Sequence, residues 1–196
     1  MTTNMIRIWN WALGFLGCRN VASEYENTPE ALQCRLYWDA ARRQVLRDFP
    51  WPFAQRRAWL AQLPLPPEYA PEFRHAYAPP EDCLKVHEVR QQGGSPRPFL
   101  LAHNSEGNGS MILTDAEQAL ALYTADIADC RLFDSQTGPL LARKLAALLA
   151  IPLLQCGMDR VNDLERLYAA ACPAARTSAA SERQEAASGD AWLDAR

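Results

Sequence analysis

Pro139-Leu-Leu-Ala-Arg-Lys-Leu-Ala-Ala-Leu-Leu-Ala-Ile-Pro-Leu-Leu154 is the most apolar stretch of the chain, and it decides where the core lies. Leu141, Leu145, Leu148, Leu149 and Pro152 share one helical face, which Leu140, Ala147, Ile151 and Leu154 widen. A helix apolar nearly all round belongs in an interior. The stretch carries Arg143 and Lys144 and falls short of the ~20 residues that span a bilayer. It therefore predicts a central buried helix opened by Ser135–Pro139, with no transmembrane segment.

Helical patterns continue on both sides of it. Met158, Val161, Leu164, Tyr168, Ala171 and Cys172 predict a last amphipathic helix that Pro173 must kink or stop. Near the start, Met5, Ile8, Trp9, Ala12, Leu13 and Leu16 predict a helix over about 4–17, after the candidate caps Thr2, Thr3 and Asn4. Ile8 to Cys18 faintly resembles a lipoprotein signal, but a lone Arg7 and the interrupting Asn10 favour an ordinary amphipathic helix. Thr28-Pro29-Glu30 opens a further helix, with Ala31, Cys34, Trp38, Ala41, Val45 and Phe49 facing the core. Its other faces carry Arg35, Asp39, Arg42, Arg43 and Arg47, a solvated or subunit-facing surface on which Asp39 lies four residues from both Arg35 and Arg43.

The 14 prolines mark the breaks. Phe49-Pro-Trp-Pro52 ends or kinks the second helix, and a short helical piece is expected to resume through Gln55–Leu60. From Leu63 to Pro80 prolines forbid regular structure, so the chain is expected to cross a surface in extended form, pinned by Tyr69, Phe73 and Tyr77. Cys83–Val89 predicts a strand, Phe99–Leu101 and Met111–Leu113 flank a hairpin connection, and Ala119–Thr124 adds a strand. The expected fold is mainly α (α+β): a helical bundle over 1–172 with a small antiparallel annex of three or four strands within about 82–125. An extended C-terminal arm over 173–196 follows, its Ala174–Gly189 stretch rich in alanine, serine and charge.

With 20 basic against 23 acidic residues, the chain has a net charge of -3 and lacks the positive field needed to wrap nucleic acid. Six widely spaced cysteines without a C-x-x-C pair are expected to be reduced core thiols in a cytosol-made protein.

Little in the sequence points to chemistry. His75, His87 and His103 are scattered rather than set at metal-ligand spacing, and Cys83 with His87 lie too far apart along a strand to act as nucleophile and base. Glu81-Asp82, or Asp126 with Asp129, could supply a glycosidase's two carboxylates, although loop carboxylates are common. Gly93-Gly94 is not a phosphate cradle. Arg56-Arg57 beside Trp51, Phe53 and Trp59 is the one basic-aromatic cluster suited to nucleic acid, with a packing role for the aromatics as its competitor. No catalytic, cofactor or metal residue is expected.

Tyr77-Ala-Pro-Pro-Glu-Asp-Cys-Leu-Lys-Val-His-Glu-Val89 resembles the segment by which phage head-to-tail adaptors, the tail-tubular-like connectors beneath the portal, enter their sheet. Met111-Ile-Leu-Thr-Asp115, Leu122-Tyr-Thr-Ala-Asp-Ile-Ala-Asp129, Phe133-Asp-Ser and Leu140 to Ala150 follow in the family's order, so the resemblance spans residues 30–172. The closing Gly189-Asp-Ala-Trp-Leu-Asp-Ala-Arg196 is similar to the terminal arm of several such connectors.

The resemblance implies a structural virion protein, not an enzyme, copied into a dodecameric ring between the portal protein and downstream tail or stopper proteins. DNA would pass through its channel without specific binding, with no cofactor and no membrane. Its place would be the virion neck, after assembly in the host cytoplasm. Ala191, Trp192, Leu193 and Arg196 would form a portal-docking arm, and Arg35, Asp39, Arg42, Arg43 and Arg47 would meet neighbouring copies. The Pro-rich span 63–80 and Pro173 depart from the family pattern. Two rivals are a peptidoglycan-degrading virion hydrolase and a terminase-like DNA-packaging subunit that binds DNA.

Overall fold

The computed structural model describes residues 4–103 and 109–181, so the arm residues Ala191, Trp192, Leu193 and Arg196 lie outside the described residues. The chain forms two compact units: the first comprises 1–45 and 129–196, the second Leu46–Ala128.

Four helices make up most of the first unit. Helix α1 (Met5–Leu16) starts where the Asn4 side chain accepts the Arg7 N–H, and ends at Gly17, whose φ of 70° suits a left-handed cap. It buries Ile8, Trp9, Ala12, Leu13 and Leu16. Asn10, which breaks the apolar run in sequence, exchanges two hydrogen bonds with the Val21 backbone, at 2.9 and 2.8 Å, and so fastens the connection to the next helix.

Helix α2 (Pro29–Asp48) is capped by Thr28, whose hydroxyl accepts from the Ala31 N–H at 3.3 Å. Trp38 on this helix meets Trp9 edge to face, with ring centroids 6.3 Å apart.

Helix α3 (Thr137–Leu154) contains the whole apolar run from Pro139 to Leu154. Asp134 Oδ1 accepts from the backbone N–H groups of Gln136 and Thr137 and from the Thr137 hydroxyl, satisfying its otherwise orphaned start. It packs against both α1 and α4. By length and composition α3 could cross a bilayer, but 56% of it is buried inside the protein, as in a core helix.

Helix α4 (Met158–Ser181) runs on through Pro173 rather than stopping there. The buried stripe Leu164, Tyr168, Cys172, Ala175 and Ala179 continues past the proline, which is itself exposed. Packing along that stripe compensates for the one backbone hydrogen bond a mid-helix proline removes.

The second unit overturns the expectation of a mainly helical bundle with a small annex. Of the described residues 46% are helical and 22% lie in strands, which form two four-stranded antiparallel sheets, an α+β fold. The strands are β1 (Gln55–Trp59), β2 (Ala61–Leu63), β3 (His75–Ala78), β4 (Cys83–Arg90), β5 (Pro96–Arg97), β6 (Phe99–His103), β7 (Ser110–Thr114) and β8 (Leu120–Ala125). They are ordered β1-β8-β4-β5 in one sheet and β2-β3-β7-β6 in the other.

The expected strands over 83–89, 99–101, 111–113 and 119–124 are all present, and β6 pairs with β7 as a hairpin. The expected helical piece over 55–60 is instead β1, paired in register with β8 from Gln55↔Thr124 to Trp59↔Leu120. A six-residue helix cannot recover its nucleation cost, whereas a partner strand satisfies the same backbone groups at once.

The Pro-rich span contains β3, which the prolines were expected to forbid. Tyr69, Phe73, Leu63 and Leu65 of this span pack on the buried cluster of Ala76, Ala102, Met111 and Leu113, and the Tyr77 hydroxyl donates to the Ala116 carbonyl at 2.7 Å. Tyr69, Phe73 and Tyr77 therefore do pin the span, as expected.

Candidate functional site

Asp82 and Asp129 are both engaged in local ion pairs and hydrogen bonds. Asp82 accepts from Arg56 Nη1 at 2.6 Å and from the Tyr123 hydroxyl at 3.0 Å, and its carbonyl receives the Asp126 N–H at 2.7 Å. It ties β1, β4 and β8 together. Arg131 grips Asp129 through Nε and Nη2, at 3.0 and 2.8 Å, and its side chain and N–H hold that carboxyl down at about 2. Asp129 is therefore ionised near neutral pH, which suits the base or nucleophile of a carboxylate pair and not its acid.

Burial pushes the Cys34 thiol up to about 12 and Cys130 to about 11, away from nucleophilic thiolate. The six cysteines are all free; Cys34, Cys130 and Cys172 are buried, and the others half-buried. His87 contacts the Thr124 hydroxyl at 2.7 Å and His75 lies near Gln62 at 3.5 Å, while no group of three metal-ligating side chains converges among the described residues.

Burial, and then the hydrogen bond to Asp82, pushes the Tyr123 phenol up to about 12 from its usual 10.0. The folded chain thus holds this proton more tightly than the unfolded one. The stability it contributes is complete below pH 10.0 and is lost as pH rises toward about 12. Tyr123→Phe removes the titrating group, so its stability should fall less across that window than the parent's, as denaturation at stepped alkaline pH will report.

The basic-aromatic cluster is divided by the strand. Trp51 is 1% exposed and packs against Phe49 and Phe53, a core residue. Alternation on β1 sends Arg56 toward Asp82, while Arg57 and Trp59 fall on the opposite face. There they join Leu120, Leu122, Arg90 and the turn 91–94 around a cavity of about 370 Å³. The Gly94 N–H closes that turn on the Gln91 carbonyl at 3.0 Å, with Gly93 at φ +67°, so the glycine pair builds a hairpin turn and no phosphate cradle.

On α2 the five interface candidates separate. Arg42 is buried at 3% exposure and pairs with Asp39 at 3.1 Å, whereas Asp39, Arg35, Arg43 and Arg47 are exposed. Arg35 donates to the Glu24 and Glu26 carbonyls, and the Arg47 carbonyl accepts from Lys85 Nζ at 3.4 Å. Sequence reasoning passed over Leu32 and Leu36, which are 44% and 69% exposed on the outer side of the same helix. Their signal was available: two leucines four residues apart, off the Ala31–Cys34–Trp38 stripe. Together with Asp39 and Arg43 they form an outward apolar-charged ridge.

No family model matches the chain, and no curated protein matches it.

Proposed function

We propose that this protein is a structural subunit of a phage neck, copied into a ring between portal and tail, with DNA passing through the ring unbound. The observation that supports it most is the outward ridge of α2. Leu32 and Leu36 are too exposed to serve the subunit's own core, and they stand beside Arg43 and Asp39, which can set register against another copy. The place at the head-to-tail junction rests on the ordered motifs from Tyr77 to Ala150 and on the resemblance they carry. In this reading the protein performs no reaction, and its partners are the portal above and tail or stopper proteins below. It assembles in the host cytoplasm and resides in the virion neck.

Native mass measurement of the full chain, alone and with a portal, tests this. A closed multimer is expected, and Leu32→Glu with Leu36→Glu should return it to monomer by burying two unpaired charges at the contact. A parent chain that stays monomeric with and without portal would overturn the reading.

A further inference from the structure

Within the first unit, α1 and α3 leave a groove between them, lined by Asn10, Trp11, Gly14, Phe15, Pro139, Ala142 and Arg143. Its volume is about 440 Å³, within the range of pockets that take a specific ligand. The lining is mainly apolar, and none of the lining residues is acidic. Arginines mark its ends: the Arg7 guanidinium lies over the Trp11 ring at 4.9 Å, and that of Arg143 over Phe15 at 5.4 Å. Arg160 adds a third positive charge by donating to the Phe15 carbonyl at 3.1 Å.

Gly14 is the telling residue. It sits inside α1, where glycine is the poorest helix former after proline. Its φ is not positive, and among the described residues a Cβ built there meets nothing beyond the backbone of its own helix within 4 Å. Neither its conformation nor the packing of its own unit requires glycine. The open space above it is the groove, and close approach of an occupant is the remaining physical use for a missing side chain.

The occupant should be apolar, aromatic at its centre and acidic at its flanks. Asp190-Ala-Trp-Leu-Asp194 has that composition, with Trp192 and Leu193 between two carboxylates. We propose that the α1–α3 groove receives the Asp190–Asp194 segment of a second copy of this chain, Trp192 and Leu193 entering over Gly14 and the carboxylates meeting the arginines. The arm then joins copy to copy, rather than reaching only for the portal. A tryptophan in an apolar pocket is the kind of anchor that concentrates binding energy and offsets the ordering cost of a short segment. The inference rests on the ring reading only in taking the segment from a second copy.

A labelled peptide of residues 186–196, titrated by fluorescence anisotropy into the full-length Trp192→Ala chain, tests it. Saturable binding is expected, weakened at least about tenfold by Gly14→Leu, which fills the groove with a better helix former. Arg143→Glu should weaken binding similarly, and one of the two singly swapped peptides, Asp190→Lys or Asp194→Lys, should restore it. Circular dichroism of each variant separates loss of fold from loss of the groove, and the charge-swap rescue stands even if Gly14→Leu misfolds.

No binding, or binding indifferent to both groove substitutions, overturns the proposal, as does equal binding of a scrambled peptide. Native mass of the parent chain keeps the two readings apart. A ring that forms while the peptide ignores the groove removes this inference alone, and a monomer whose groove binds the peptide removes the ring and, with it, the second copy as the source of the arm.

Discussion

Trp51→Ala is expected to destabilise the second unit by about 3–5 kcal/mol, the range for deleting a large buried aromatic. Trp51 is 1% exposed, between Phe49 at 5.1 Å and Phe53 at 6.2 Å, so removing the indole opens a cavity that two neighbouring rings cannot close. Trp59→Ala, eight residues on, should change stability by no more than about 0.5 kcal/mol, because Trp59 is 56% exposed. The pair separates the two roles that one basic-aromatic cluster had in the sequence. Denaturant unfolding of both variants checks the ranking, and equal costs would refute the placement of these side chains.

Leu145→Ala is expected to cost about 2–5 kcal/mol in the first unit. Its side chain is fully buried on the helix that packs against both α1 and α4, and the neighbouring Leu141 and Leu149 are equally inaccessible. Ile151→Ala, on the same helix but 49% exposed, should lie within about 0.5 kcal/mol of the parent. Thermal unfolding with calorimetry will show whether the two differ; a mild Leu145→Ala would mean that α3 is not the centre of its unit.

The helices were legible because helical order is local. The periodic stripe of α1, the Thr28-Pro29 start of α2 and the apolar run of α3 each lie within a few turns of chain, and the structure places these elements within one or two residues of expectation. The hairpin strands β6 and β7 were legible for a similar reason, being close in sequence with a turn-rich link. What escaped was non-local. Gln55–Trp59 carries no strand signature of its own and becomes β1 only through β8, more than sixty residues away. Likewise His75–Ala78 becomes β3 because β7 lies beside it, although the surrounding prolines argue for irregular chain.

The same division holds for the candidate surfaces. Arg35, Asp39, Arg42, Arg43 and Arg47 form one charged set in sequence, yet Arg42 alone is buried, while Asp39 stays exposed beside the outward Leu32 and Leu36. The α1–α3 groove joins residues from 10–15 and 139–143, which no spacing rule connects.

The sequence by itself determined that a central apolar helix, three further helices and several short strands would form, because side-chain periodicity and caps act within a few residues. Tertiary structure alone decided that the strands make two four-stranded sheets, that α4 passes Pro173, and that α1 and α3 leave a groove over Gly14. Strand pairing, the compensation of a lost helical hydrogen bond by packing, and the shape of an interhelical surface all depend on which distant residues meet. The apolar run from Pro139 announced a core, and only its neighbours gave that core the groove at its edge.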